Sequence, residues 1–179
     1  MSDVFYLRPI APPTTPEAVL EGSKHAGGCF HLHRVDWTHS FVAADGSRML
    51  CWYRAPDAES VRIALRELGA DMNAVWPGHV IGAVQPRDTA VLRVDVLAEV
   101  PLGETFQGDD DELLKRLESA AAGDDAVIVH FGLVSNRRDR MLCLLEAGEA
   151  EPARAALERV GLPARSVWSC RVVTPAPIS

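Results

Sequence analysis

Cysteine, aromatic residues and long apolar runs are all scarce in this chain. Of its 179 residues only four are cysteine, and 6% are aromatic. Four cysteines are too few to hold a scaffold together by disulfides, so we expect reduced thiols in the cytoplasm. No run approaches the roughly 18 apolar residues that span a bilayer. Residues 1–9 also lack the basic start and apolar core of a secretory signal. We therefore predict neither a membrane segment nor export.

Basic residues are outnumbered and are scattered along the chain. The formal net charge is −7, with 18 Lys and Arg against 25 Asp and Glu. Nucleic-acid binding needs a concentrated basic face, so a nucleic-acid partner is not expected. The chain also lacks GxGxxG, GxxxxGK[ST], HExxH, GxSxG and CxxC, motifs of common phosphate, protease, hydrolase and metal or redox sites. The partner that remains is a metal ion or a small molecule.

Two segments of the chain repeat each other without gaps at an offset of 92 residues. When residues 48–76 are aligned with 140–168, 13 of 29 positions are identical, and both segments begin with Arg-Met-Leu-Cys. This period is too long for a solenoid and fits a duplicated domain. We interpret the chain as a tandem duplication with domains 1–86 and 90–179 and a linker around 85–89.

Each copy has the sequence pattern of a β-α-β-β-α-β unit. Val61, Ala64 and Leu65 recur at helical spacing, and Gly69 follows them where a left-handed helix end favours glycine. The triplet Thr-Pro-Glu at 15–17 is typical of a helix start. A further helix is predicted over 109–121. The predicted strands are 4–8, 35–42, 48–53 and 79–84 in the first copy and 92–100, 126–134, 140–145 and 167–173 in the second.

This element order is the ferredoxin-like arrangement, so the predicted fold is α+β with two tandem ferredoxin-like units. The third strand of each copy, 48–53 and 140–145, is apolar on both faces. A strand of this kind indicates that the open face of the sheet is covered. The cover is either the other copy, which gives a barrel-like pseudo-dimer, or a second chain in a homo-oligomer.

Five potential metal ligands fall within fifteen residues of the first copy. They are His25, Cys29, His31, His33 and His39. Imidazole and thiolate are side chains that hold nickel, copper and zinc. His31 and His33 are two residues apart, so on a strand both would point to the same side. The alternative is that these residues are exposed in a loop after the glycine pair at 27–28.

His39 and Cys51 lie on the two arms of one predicted hairpin. If residues 44–46 make the turn, His39 sits opposite Cys51 and Trp37 opposite Tyr53, with Cβ atoms about 5 Å apart. If residues 45–46 alone make the turn, Ser40 faces Cys51 and His39 points the other way. The sequence allows both registers, and Cys51 fits an ordinary buried thiol as well as a ligand.

Two stretches of the first copy resemble a known bacterial family. They are Trp-Thr-His-Ser-Phe at 37–41 and Cys-Trp-Tyr-Arg-Ala-Pro-Asp-Ala-Glu-Ser at 51–60. The family consists of small nickel-binding proteins, long classed as a domain of unknown function, and the resemblance covers about 35–84. It implies a ferredoxin-like fold, dimers formed through the sheet, and no securely attached enzymatic activity. It also makes His39 and Cys51 the candidate ligands, whereas His31 and His33 lie outside it.

We therefore predict a cytoplasmic protein that binds nickel or another divalent transition metal for storage, buffering or sensing. The ligands would be His39 and Cys51, with His31 or His33 as a further ligand. One alternative is a small-molecule enzyme that uses the barrel interior, with His39 as general base. That interior would be lined by Trp37, Met49, Cys51 and Tyr53. Another alternative is a structural or partner-binding module. The surroundings of His39 are not preserved in the second copy, so the site is expected in the first.

Overall fold

The computed structural model describes residues 1–72, 74–82, 93–103, 106–122 and 126–175. The chain forms two compact units, one from Met1–His79 with Arg171–Ser179 and the other from Val80–Cys170. The first six elements are β1 (Ser2–Pro9), α1 (Pro16–Leu32), β2 (Asp36–Ala43), β3 (Arg48–Ala55), α2 (Ala58–Glu67) and β4 (Val75–Ile81). The next six are β5 (Val96–Pro101), α3 (Asp110–Ala122), β6 (Ile128–Ser135), β7 (Arg140–Glu146), α4 (Ala150–Arg159) and β8 (Ser166–Val173).

The strands of each unit pair in an antiparallel sheet. In the first unit β1 lies between β3 and β4, and β2 pairs with the other edge of β3, which gives the order β4-β1-β3-β2. In the second unit the corresponding order is β8-β5-β7-β6. The predicted α+β class is thereby confirmed. The tandem duplication, the domain boundaries and the packing of the two copies stay predictions.

Most predicted elements lie close to the observed ones, and the two largest shifts, of four residues each, are at the starts of β4 and β5. The strand predicted over 79–84 is β4, which begins earlier, at Val75, and runs through Pro77 and Gly78. Proline and glycine are depleted in strands, so the pattern gave a start that is too late. The predicted linker at 85–89 and the first residue of the strand predicted over 92–100 lie outside the described residues.

The third strand of each copy is buried on both faces, as its apolar pattern predicts. In β3, Met49, Cys51 and Tyr53 pack into the core that α1 and α2 cover. Leu50 and Trp52, which point to the opposite face, are fully buried as well. In β7 the five residues 141–145 are all inaccessible to solvent. Apolar side chains on both faces therefore contribute to the stability of these strands.

The helices α2 and α4 end in the same left-handed turn. Gly69 and Gly161 each follow the last helical turn with φ +73°. The amide of Ala70 donates to a carbonyl oxygen five residues back at 2.9 Å, and that of Leu162 does so at 3.0 Å. A left-handed residue at this position favours glycine, which has no Cβ to clash with the following carbonyl. The helix ends predicted from the two glycines are thus present.

Alanine substitutions at two glycines of the first unit are expected to change the free energy of unfolding in opposite directions. Gly28 lies inside α1, and a Cβ there would meet no atom within 4 Å. Gly28→Ala should therefore raise the free energy of unfolding by about 0.5–1 kcal/mol, since alanine loses less backbone entropy in a helix. Gly69→Ala should lower it by about 1 kcal/mol, because its φ of +73° strains a residue with a Cβ. Urea unfolding of both variants tests this, and two changes of the same sign would contradict it.

Candidate functional site

The histidine-rich segment of the first copy is helical. The predictions that it forms a strand or a loop are therefore both wrong. Thr15 caps α1, and its Oγ1 accepts from the amide of Ala18 at 3.2 Å. The helix continues through the glycine pair at 27–28 and ends only at Leu32. Residues two apart on a helix point to nearly opposite sides. His31, exposed in the last turn, therefore does not share a face with His33, the residue that caps the helix.

The hairpin between β2 and β3 separates His39 from Cys51. In the observed register Ser40 pairs with Cys51, and His39 pairs with Trp52. Neighbouring residues of a strand point to opposite faces, so the His39 and Cys51 side chains lie on opposite sides of the sheet. The sequence-predicted ligand pair is therefore not brought together. An irregularity between residues 37 and 39 restores the pairing of Trp37 with Tyr53.

His39 occupies an apolar environment on the face of the sheet opposite to the helices. Its ring centroid lies 6.4 Å from that of Phe41 and 6.1 Å from that of Trp52. The residue is 6% exposed, and its Nδ1 is buried without a hydrogen-bond partner. Burial lowers the pKa of His39 from 6.5 to about 4. At neutral pH the imidazole is therefore uncharged and is a weaker base than an ordinary histidine, which disfavours the general-base role.

Cys51 belongs to a short hydrogen-bond chain on the helix-covered face. The indole Nε1 of Trp37 donates to Ser40 Oγ at 2.9 Å, and that hydroxyl donates to Cys51 Sγ at 3.0 Å. Burial is the main reason that the pKa of the Cys51 thiol is raised, although the bond from Ser40 lowers it in part. Cys51 is thus a neutral, hydrogen-bonded thiol. Among the described residues it belongs to no group of three or more ligand-type side chains.

A second grouping of ligand-type side chains lies between α1 and α2. Cys29, His33 and Glu67 each offer one donor atom, and the three atoms lie within 4.8 Å of one another. Glu67 Oε2 is 3.1 Å from Cys29 Sγ and 3.1 Å from His33 Nε2. Cys29 and His33 are half-buried, and Glu67 is exposed. We call this group the Cys29–His33–Glu67 cluster. Of the four residues predicted as ligands, His33 alone belongs to it, and Cys29 was one of the five potential ligands.

Helix geometry explains why the three donor atoms meet. Cys29 and His33 are four residues apart, so they lie one turn from each other on the same face of α1. That face packs against α2, where Cys29 Sγ also lies 3.4 Å from the carbonyl oxygen of Ala64. Glu67 is the last residue of α2 and reaches back to α1. The site is therefore held by two helices packed on one sheet.

The charges of the cluster are set by its own contacts. Burial, and then the adjacent Glu67 carboxylate, raise the pKa of the Cys29 thiol. The hydrogen bond from Cys29, and then that from His33, lower the pKa of Glu67. At neutral pH Glu67 is therefore a carboxylate and Cys29 a protonated thiol. All four cysteines of the chain are free, so the thiol is not consumed by a disulfide. A metal ion that binds sulfur must displace the thiol proton.

The donor set fits a borderline-soft divalent ion. Thiolate and imidazole suit zinc, copper and nickel, whereas calcium and magnesium prefer oxygen ligands alone. Three protein ligands leave coordination positions for water, as in sites that exchange their metal or act on a ligand. Sequence reasoning missed Glu67 because its approach to α1 depends on helix packing. The spacing of Cys29 and His33 was the available signal, but it is informative only once the segment is known to be helical.

The first unit also contains a cavity of about 420 Å³ between its sheet and the helices α1 and α2. The residues predicted to line a small-molecule site, Trp37, Met49 and Tyr53, all border it, together with Cys51. His39 does not border it, because it lies on the other face of the sheet. All described residues that border this cavity belong to the first unit, and it faces α1 and α2, so it is not the barrel interior that was predicted as a small-molecule site. That site stays a prediction.

Comparisons with known proteins identify a family for part of the chain but do not establish an activity. Among the described residues no helix is long and apolar enough to cross a membrane. No curated protein matches the chain. A solved structure of a candidate monooxygenase from Lactobacillus acidophilus NCFM is 11% identical over 99% of both chains, with a TM-score of 0.46. A candidate chlorite dismutase is 9% identical over 96% of this chain and 94% of its own, also with a TM-score of 0.46.

An anthrone oxidase-like protein is 12% identical over 96% of this chain and 90% of its own, with a TM-score of 0.45. Values this low carry no argument about what this chain does.

The family comparison is more specific, since a family model matches residues 7–77. This range contains both stretches that carried the resemblance, as well as the Cys29–His33–Glu67 cluster. Residues 7–77 thus match the model of the family described as nickel responsive protein SCO4226-like, and the predicted resemblance is confirmed.

Proposed function

We propose that the first unit binds a divalent transition metal, nickel being the first candidate, at the Cys29–His33–Glu67 cluster. The observation that carries the proposal is the convergence of a sulfur, a nitrogen and an oxygen donor within 4.8 Å. The family description, which names nickel responsiveness, supports the choice of ion. The proposal keeps His33 from the sequence-predicted ligands and replaces the pair His39 and Cys51.

A site with three protein ligands and partial exposure suits buffering or sensing better than permanent structural binding. Water can occupy the remaining coordination positions, so the ion can exchange. Glu67 is exposed, which gives the ion a path from solvent. The free thiol of Cys29 must stay reduced, and the cytoplasm provides that condition. Binding would also join α1 to α2, so that occupancy of the site would stabilise their packing.

We further propose that the chain is a tandem duplication of a ferredoxin-like unit in which the first copy has the metal-ligand set. The equivalent strand orders of the two sheets and the repeated Arg-Met-Leu-Cys segment support this interpretation. At the offset of 92 residues, Arg159 stands at the position equivalent to Glu67. The helix α3, which follows β5 as α1 follows β1, contains neither cysteine nor histidine. The second copy therefore has no equivalent ligand set.

Substitutions in the cluster are expected to abolish nickel binding while the fold remains. Untagged protein is freed of metal with EDTA and titrated with NiCl₂ by isothermal titration calorimetry, with bound metal measured by elemental analysis. Cys29→Ser and His33→Ala should each weaken binding by more than about a hundredfold, since even the loss of an outer-shell partner typically costs 10–100-fold. Glu67→Gln should weaken it less, because the amide oxygen remains a neutral ligand.

Three other substitutions serve as controls in the same titration. His25→Ala removes an exposed histidine one turn before Cys29 on the same helix, and it should leave nickel binding unchanged. His39→Ala and Cys51→Ser remove the sequence-predicted pair and should also leave the metal content unchanged. Loss of nickel in the His39 or Cys51 variant, with normal binding in both the Cys29 and His33 variants, would refute the cluster. Circular dichroism verifies that each variant is folded.

A further inference from the structure

The cavity of the first unit is bordered by an arginine, and none of the described residues that border it is acidic. Arg8, on β1, borders it, and the register that pairs Arg8 with Met49 directs both side chains to the helix-covered face. The exposed His25 also borders it. None of the bordering residues is Asp or Glu, although the chain has 25 of them and a net charge of −7. The described residues that border the cavity therefore include a cation but no carboxylate.

Arg8 has no carboxylate partner among the described residues. Its Nε is buried and makes no hydrogen bond. The guanidinium carbon lies 5.4 Å from the centre of the Tyr6 ring, a contact with an aromatic face that does not neutralise the charge. Arginine stays protonated at every physiological pH, so this half-buried side chain keeps its charge beside the cavity. Arg8 interacts with the Tyr6 side chain, but its buried Nε–H has no acceptor, and an anionic ligand would supply one.

The rest of the lining determines what the anion must carry. Most of the wall is apolar or aromatic, with Phe30, Trp37 and Leu65 among the larger side chains. The volume of about 420 Å³ lies in the range of small-molecule sites, roughly 300–1,000 Å³. Gly22 and His25 are exposed residues of α1 that border the cavity, so it reaches the surface along that helix. A ligand with one negative charge and an apolar body matches one guanidinium in an apolar wall.

We propose that this cavity binds a small organic carboxylate, with the carboxylate on Arg8 and an alkyl or aryl body against the apolar wall. A carboxylate accepts two parallel hydrogen bonds from a guanidinium, which fixes its orientation. The site is separate from the Cys29–His33–Glu67 cluster and requires no metal. Inorganic phosphate, which has no apolar body and a higher charge, would leave the wall unused.

The test compares two ligands that differ only in charge. Octanoate and its neutral analogue octanamide are titrated into EDTA-treated full-length protein by isothermal titration calorimetry. Octanoate should bind roughly ten- to a hundredfold more tightly than octanamide, because a charge-assisted hydrogen bond in a buried site has about that effect. Equal binding of the two, no binding of octanoate, or binding of inorganic phosphate in its place would overturn the proposal. Metal-free protein is used so that the result is independent of nickel binding.

Substitution of Arg8 gives the second arm of the experiment. Arg8→Met keeps an unbranched side chain about as long as the aliphatic stem of arginine but removes the guanidinium, so it should remove the preference for octanoate, while octanamide binding stays the same. Arg8→Lys should keep part of the preference, since lysine keeps the charge but not the paired donors. Arg54→Met, on the neighbouring strand β3, removes an exposed arginine that does not border the cavity and should change neither affinity. If Arg8→Met fails to fold, the octanoate-to-octanamide ratio of the unsubstituted protein decides the question.

Discussion

Replacement of Trp52 by alanine is expected to lower the free energy of unfolding by about 3–5 kcal/mol, the range for a large aromatic residue in a core. Trp52 is fully buried in β3. Its ring centroid lies 5.9 Å from that of Phe5 on the neighbouring strand. Its indole Nε1 donates to Asp3 Oδ1 at 2.9 Å. The substitution therefore removes apolar volume, an aromatic contact and the hydrogen-bond partner of a carboxylate at the same time.

The second copy provides a matched comparison for this substitution. The position equivalent to Trp52 is Leu144, which is also fully buried and has no polar group. Trp52→Leu should cost less than Trp52→Ala, because leucine fills part of the space while Asp3 loses its partner in both variants. Leu32→Ala removes a residue that is 78% exposed and should change stability by less than about 0.5 kcal/mol. Urea unfolding followed by far-UV circular dichroism measures all three, and a Trp52→Ala effect as small as that of Leu32→Ala would contradict the prediction.

Local signals in the sequence were sufficient for the element order of both copies. Thr15 with the following proline marked the start of α1, and Gly69 and Gly161 marked the ends of α2 and α4. Both kinds of signal act within one turn of a helix, so they can be read without knowledge of the fold. The apolar run of β3 was also informative, because burial on both faces leaves no polar alternation in the sequence.

The candidate site was harder to predict because its residues meet through packing. A glycine pair at 27–28 suggested a loop, yet contacts of α1 with the sheet and with α2 outweigh the low helix propensity of glycine. In a helix Cys29 and His33 lie on the same face, whereas His31 points to another face. Glu67 is 38 residues further along than Cys29, and no local pattern connects the two.

The hairpin shows a second limit of prediction from sequence. Its register depends on the number of residues in the turn and on the irregularity between residues 37 and 39. A shift of the register by one residue exchanges the two faces of a strand. The same sequence can therefore place His39 either beside Cys51 or on the opposite face. The observed turn spans residues 44–47, with the amide of Gly46 donating to the carbonyl oxygen of Ala43 at 2.8 Å. The pairing of Trp37 with Tyr53 follows from the irregularity, which the sequence does not reveal.

The burial of His39 is expected to make the protein less stable as the pH falls from 7.5 to 5.0. Burial lowers the pKa of His39 to about 4 in the folded state, whereas 6.5 is its ordinary value. Between these two values the unfolded chain binds a proton that the folded chain does not bind, so acidification favours unfolding. The loss attributable to His39 should be roughly 2 kcal/mol at pH 5.0 and should approach about 3 kcal/mol near pH 4.

The variant His39→Phe isolates this contribution from that of the carboxylates. Those with lowered pKa, such as Asp139, have ordinary values of 3.8 to 4.5, so the stability they contribute is lost mainly below pH 5. Phenylalanine keeps a ring beside Phe41 and Trp52 and removes the unpartnered Nδ1, so His39→Phe should be at least as stable as the original protein at pH 7.5. Its advantage should grow by roughly 2 kcal/mol by pH 5.0 in urea unfolding. The exposed-histidine variant His31→Gln should keep the original pH dependence, and the same pH dependence in His39→Phe would show that His39 is not the group responsible.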